Sequence, residues 1–221
     1  MRLSTLINPF MPAEGPPPRT LGAFLRWALS GAWPGIGIAT AISAIAGATE
    51  VLSALIMGLV IDAAVSGETQ TFFADNWHML LLFAGFFMLV RPLAFGLGSA
   101  SNFLTVAPNV DPLVLSRLNR WTMGQDIGFF DNDFAGRIAQ KQIQTARALT
   151  EVVSETINTV AFALSTLIGS ATLVGLIDWR LGLILFSWAV FYLAVIRLFM
   201  PHIRSRSGAR AGARAMVTGQ V

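Results

Sequence analysis

The chain has 221 residues, of which 54% are hydrophobic and 12% charged, with a mean hydropathy of +0.64. Soluble domains carry about 25% charged residues, so a water-soluble globular protein is excluded and an all-α membrane protein is predicted. The net charge of +3 comes almost wholly from arginine, Lys141 being the only lysine; basic loops on the cytoplasmic side of a membrane explain it, and no nucleic-acid partner is implied. With no cysteine, disulfides, thiolate-ligated zinc and a thiol nucleophile are ruled out.

In chain order, residues 1–18 form a Pro-rich cytoplasmic lead. Pro9, Pro12 and the run Pro16, Pro17, Pro18 leave no room for the apolar core of a cleavable signal peptide. Residues 19–30 are amphipathic, with Leu21, Phe24, Leu25, Ala28 and Leu29 set against Arg19 and Arg26, and Trp27 suited to a headgroup boundary. They predict an interfacial helix lying on the membrane. A corner at 31–34 then turns the chain into the first of four spans, about 35–61, 77–107, 157–177 and 181–200. Each reaches the approximately 20 residues that cross a hydrocarbon core as a helix. Within the second span, Pro92 removes a helix hydrogen bond, and Pro108 with Pro112 should kink or interrupt the helix. Helix contacts are predicted at the small residues Ala44, Gly47, Ala48, Gly85, Gly96 and Gly98.

Between the second and third spans lies a polar island, 127–153, reading IGFFDNDFAGRIAQKQIQTARALTEVV. Asp131, Asn132 and Asp133 can cap a new helix. From Ile138 onward, Ile143, Ala146, Leu149, Val153 and Ile157 set one apolar stripe along it. No breaker separates this polar helix from the third span, so it should leave the membrane for the cytosol as one piece. The third and fourth spans are joined only by Asp178, Trp179 and Arg180. The loop 62–76 has Asp62, Glu68 and Asp75 and no lysine or arginine, whereas 117–147 and 204–214 are rich in them. The N-terminus is therefore predicted to be cytoplasmic.

Two charges fall inside the spans. Glu50 lies twelve residues from the outer end of the first and Arg91 fourteen from the outer end of the second, which at a helical rise of about 1.5 Å puts both roughly 20 Å deep. An ion near the bilayer centre costs about 2.5–3.5 kcal/mol even on lenient scales. Glu50 and Arg91 are therefore expected either to pair across adjacent helices or to line a translocation path. Asn102, with Ser99 and Ser101, is a further polar candidate for that path, although such residues also bond neighbouring helices.

The residues FFD, then GRI a few positions on, then a long polar helix ending in a span, resemble the first intracellular loop of ATP-binding-cassette exporters. The likeness in layout runs from about residue 19 to the end. It implies an elbow helix at 19–30, a first coupling loop at about 117–156, and a short coupling helix that docks on a nucleotide-binding domain. Ile127, Gly128, Phe129, Phe130 and Asp131 would form the docking segment, with both aromatics at its tip, and Gly136 and Arg137 would begin the third helix. The resemblance further implies a half-transporter that pairs with a second one, identical or not, in a bacterial inner membrane. It would export a hydrophobic or amphipathic compound by alternating access. Such subunits have six spans before the nucleotide-binding domain, so these residues would cover the first four.

Nothing in the chain reads as a catalytic, cofactor or metal site. A P-loop needs a lysine after glycine, and Lys141 follows Gln140; ATP and magnesium are accordingly expected on a nucleotide-binding domain absent from these residues. His78 and His202 fall at opposite interfaces, which excludes a shared metal. Two other classes remain open on the residues alone: a four-span accessory protein whose inner loop holds a soluble partner, and a proton-coupled secondary transporter working through Glu50 or Arg91.

Overall fold

A computed structural model describes residues 6–67, 71–131 and 135–218. All regular structure among them is helical, and four helices are long and apolar enough to cross a membrane: Trp33–Ser66, Trp77–Met123, Gly136–Ile177 and Trp179–Pro201. The chain divides into two compact units, Met1–Leu167 and Ile168–Val221.

In the first unit, helix α1 spans Leu21–Ala28 and α2 spans Trp33–Ser66. Gly31, at φ +80°, supplies the left-handed backbone of the corner between them. At 34 residues, α2 is about 51 Å long and outruns the predicted span at both ends. The short α3 covers Phe72–Asp75. The second long helix is built from α4 (Trp77–Gly85), a π-helical segment at Phe86–Val90, α5 (Arg91–Ser101), a second π segment at Asn102–Val106, and α6 (Ala107–Met123). Prolines were expected to kink or interrupt this helix, and the structure answers differently. The N–H that Pro92 lacks would have bonded Met88, and the one Pro108 lacks would have bonded Leu104. Both acceptors lie within π segments, where the widened turn relieves the ring clash and the helix runs on.

After α7 (Ile127–Asp131), helix α8 (Ala135–Glu155) passes through a third π segment, Thr156–Ala161, into α9, Phe162–Ile177. The apolar stripe of α8 is buried as its spacing predicts: Ala146, Leu149, Val153 and Ile157 are in the core, while Ile143 stays 38% exposed. Their partners are Val106, Val110, Leu113 and Val114 of the second helix, Ala28, Leu29 and Ala32 at the corner, and Ile7 of the lead. The packed core thus sits at the polar end of the unit. Most long apolar side chains along the spans face outward, as lipid-facing residues do.

One predicted glycine contact carries the packing of α2 on α9. A Cβ at Gly47 would stand 2.5 Å from the Phe162 carbonyl oxygen. Around it, the Ser165 hydroxyl donates to the Ala44 carbonyl (2.6 Å) and the Thr166 hydroxyl to the Gly47 carbonyl (3.1 Å). The expectation fails at Gly85 and Gly96, where a Cβ would meet open space, and at Ala48, which is exposed; Gly98 is buried and faces Ser43 and Ala46 of α2 across a cavity without touching them. Spacing alone does not tell which side of a span faces a neighbour.

In the second unit, α9 ends at Ile177 and α10 runs from Trp179 to Thr218. The three-residue hairpin predicted there reduces to Asp178. Its carboxylate accepts the Arg180 N–H (2.8 Å), and its carbonyl accepts the N–H of Leu181 (3.0 Å). Gly182 approaches the backbone of Gly175, a Cβ there lying 3.1 Å from the Gly175 Cα.

Candidate functional site

The segment expected to couple begins where α6 runs out. Gly124 N–H bonds the Trp121 carbonyl (3.2 Å) and Gln125 N–H the Thr122 carbonyl (3.1 Å), closing the last turn. Asp126 then starts α7: its carboxylate Oδ1 accepts the Phe129 N–H at 3.1 Å, which satisfies one of the free donors of a helix start. The residues expected to cap, Asp131, Asn132 and Asp133, lie outside the described residues in their side chains. Asp126 caps a different helix, the short α7.

Phe129 stands edge-on to Trp121 (5.9 Å between centroids) and Phe130 edge-on to Phe129 (5.3 Å). Both are half-buried. Phe129 also lines a cavity of about 260 Å³ with Leu118, Trp121, Ile138 and Pro17. Among the described residues of this stretch, the most exposed large apolar side chains are Ile127, 82% exposed, and Met123, 75% exposed. Phe129 and Phe130 pack edge-on beside them and are partly covered. Gly136 and Arg137 are exposed in the first turn of α8, and the Gln142 amide donates to the Thr122 hydroxyl at 2.6 Å, tying α8 to the end of α6.

Deeper in the spans, Glu50 and Arg91 meet. Nε and Nη2 of Arg91 both donate to Oε1 of Glu50, at 3.1 and 2.9 Å. The Arg91 guanidinium also lies 5.9 Å from the Phe87 ring and 5.7 Å from the Phe95 ring, within cation–π range. The pair is open on one side, with Arg91 42% and Glu50 28% exposed. Asn102 is elsewhere: 1% exposed, it accepts the Ser154 hydroxyl at 3.2 Å and ties the second helix to α8. Ser99, with Ser43, Phe95, Asn158 and Phe162, lines a cavity of about 250 Å³ among α2, α5 and the third π segment. His78 lies against the Trp77 ring (3.5 Å), and no group of three metal-ligating side chains occurs among the described residues.

Sequence reasoning missed Arg117. It is 2% exposed, and its guanidinium donates to the carbonyls of Met11, Trp27, Ala28 and Ser30 at 2.7–3.0 Å. Its partners are backbone atoms, which leave no mark in a residue pattern.

Residues 36–221 match the family described as ABC transporter transmembrane region. A protein of Haemophilus influenzae described as an uncharacterized ABC transporter ATP-binding protein is 25% identical over 219 residues, covering 97% of this chain and 35% of that protein. The chain thus spans about a third of that relative's length. No solved structure matches it.

Proposed function

Because the chain belongs to the ABC transporter transmembrane region family, we propose that it forms the membrane-spanning part of an ATP-driven exporter. Its solute is a hydrophobic or amphipathic compound, moved by alternating access. The subunit works beside a second half-transporter in a bacterial inner membrane, with its N-terminus in the cytoplasm. ATP and magnesium act on a nucleotide-binding domain outside these residues. Closure of that domain pushes on α7, and α6 and α8 carry the push into the second and third spans.

The observation that carries this reading is the build of the α7 region. It is a five-residue helix, capped by Asp126, braced by the Phe129 and Trp121 rings, and presenting Ile127 and Met123 outward. An exposed apolar pair on a braced turn is suited to insertion into a groove of a soluble partner. Helices α6 and α8, packed against each other, give the push a stiff path because dense interiors transmit displacement.

The test uses the full-length protein in proteoliposomes, with ATP turnover and export of a fluorescent amphiphile followed together. Ile127→Asp replaces the projecting contact without touching the core, and export is expected to fall at least about tenfold while ATP turnover persists. Unchanged export in Ile127→Asp refutes the docking role. Absence of any ATP-driven export by the wild type refutes the exporter reading itself.

A further inference from the structure

The lead residues 6–18 are held to the rest of the unit at five successive places. Ile7, 1% exposed, sits on the bare backbone of Gly35, where a Cβ would come within 2.7 Å of its Cγ1. The Pro9 carbonyl accepts the Ser116 hydroxyl at 3.1 Å. The Met11 carbonyl accepts Nε of Arg117 at 3.0 Å, and its sulfur lies against Gly31. The Glu14 carbonyl accepts the Trp27 indole N–H at 3.1 Å. Pro17 then reaches the cavity that Phe129 of α7 also lines. The strap so formed runs from the foot of the first span, across α6 and α1, to the base of α7.

Arg117 is the centre of this arrangement. Nε holds the strap at Met11, while Nη1 reaches the carbonyls of Trp27 (2.7 Å) and Ala28 (2.9 Å) and Nη2 that of Ser30 (2.7 Å). The last three are carbonyls at or just past the end of α1, where helical partners run out; that of Trp27 also accepts the N–H (3.4 Å) and hydroxyl (3.1 Å) of Ser30. A guanidinium suits them, being a fixed planar fork of donors placed at the negative end of the helix dipole.

We propose that Arg117 is a positioning residue for coupling: it clamps the strap and α1 to α6, so that the base of α7, α6 and the foot of the first span move as one body. Motion entering at α7 then reaches the first span through the strap as well as the second through α6. This rests on the coupling role proposed for α7.

The test is made on the full-length protein in lipid nanodiscs and proteoliposomes. These 221 residues hold no cysteine, so Gly124→Cys, exposed at the foot of α7, takes a single spin label here and leaves Ile127 in place. With Arg117→Gln, and separately with residues 2–18 removed, the label is expected to become more mobile and export per ATP hydrolysed to fall at least about fivefold. Arg117→Lys is expected to remain as mobile as Arg117→Gln, because an ammonium on one stem does not present the fork. An unchanged label spectrum in both variants overturns the proposal, as does a parallel fall of ATP turnover and export at constant ratio, the mark of a purely structural arginine. Should the variants fail to fold, Pro9→Cys with Ser116→Cys tests the same claim: oxidation closes the strap covalently and is expected to leave export unchanged, and its loss overturns the clamp. If the wild type shows no export at all, the transporter reading fails, while label mobility still decides the role of Arg117.

Discussion

Replacing Glu50 with Gln leaves the Arg91 guanidinium without its counter-charge inside two apolar helices long enough to span a membrane. Each charge-assisted hydrogen bond to an ion is worth about 1.5–3 kcal/mol when desolvated. Here both go to one carboxylate oxygen, and the two side chains are 42% and 28% exposed, so solvent screening argues for the low end. A coupling energy of about 1–2 kcal/mol between the positions is expected, above the approximately 0.6 kcal/mol average for polar contacts between membrane helices, because both partners are charged. The assay is a double-mutant cycle of Glu50→Gln, Arg91→Gln and the double variant. Unfolding is driven by increasing the dodecyl sulfate fraction in mixed micelles and read by tryptophan fluorescence. The losses of the two single variants should sum to more than the loss of the double variant, by the coupling energy. A coupling below about 0.3 kcal/mol would refute the pair as a stabilising contact. The swap Glu50→Arg with Arg91→Glu separates lock from path: recovery of stability without export places the pair on the solute's route, and recovery of both makes it a tie between two spans.

Two further outcomes follow from the packing. Gly47→Ala puts a methyl 2.5 Å from the Phe162 carbonyl oxygen, a backbone atom that cannot swing aside, so a loss of about 1–3 kcal/mol is expected in the same micelle titration; a neutral result would mean that α2 and α9 do not approach so closely. Asp126→Ala removes the side-chain acceptor of the Phe129 N–H and leaves only the Asp126 carbonyl at 3.2 Å, so it should cost about 0.5–1 kcal/mol locally. Amide exchange at 127–131 should accelerate several-fold with no change in global unfolding, while Asp126→Asn stays close to wild type.

The spans were legible because a helix in lipid must be long, continuous and apolar, and those are properties of a residue string. Counting put Glu50 and Arg91 on one level, since the rise per residue is fixed, but left open whether they pair or line a path; that they meet depends on which sides of the two helices face each other. The buried stripe of α8 followed from its spacing. What the string hid was of another kind. Phe129 and Phe130 were singled out by type alone; that Phe129 packs edge-on against Trp121 and Phe130 against Phe129, with Ile127 left 82% exposed, depends on how α6 ends. A Pro-rich lead reads as loop, because its ties run through its own carbonyls at Pro9, Met11 and Glu14. Pro92 and Pro108 signal a disturbed helix, but whether the chain breaks, bends or widens depends on the neighbours that hold it.

The three π segments set the mechanical character of the unit. Helix α2 has none over its 34 residues and behaves as a strut. The second helix has two, at Phe86–Val90 and Asn102–Val106, where wider turns make poorer backbone bonds, so bending concentrates at two levels instead of spreading along its length. The lower joint adjoins Pro108, and the upper runs directly into Arg91. In the coupling role proposed for α7, load applied there would arrive at the Glu50–Arg91 level chiefly as a change of angle, and a small tilt would turn one side of the pair toward or away from whatever lies beside it.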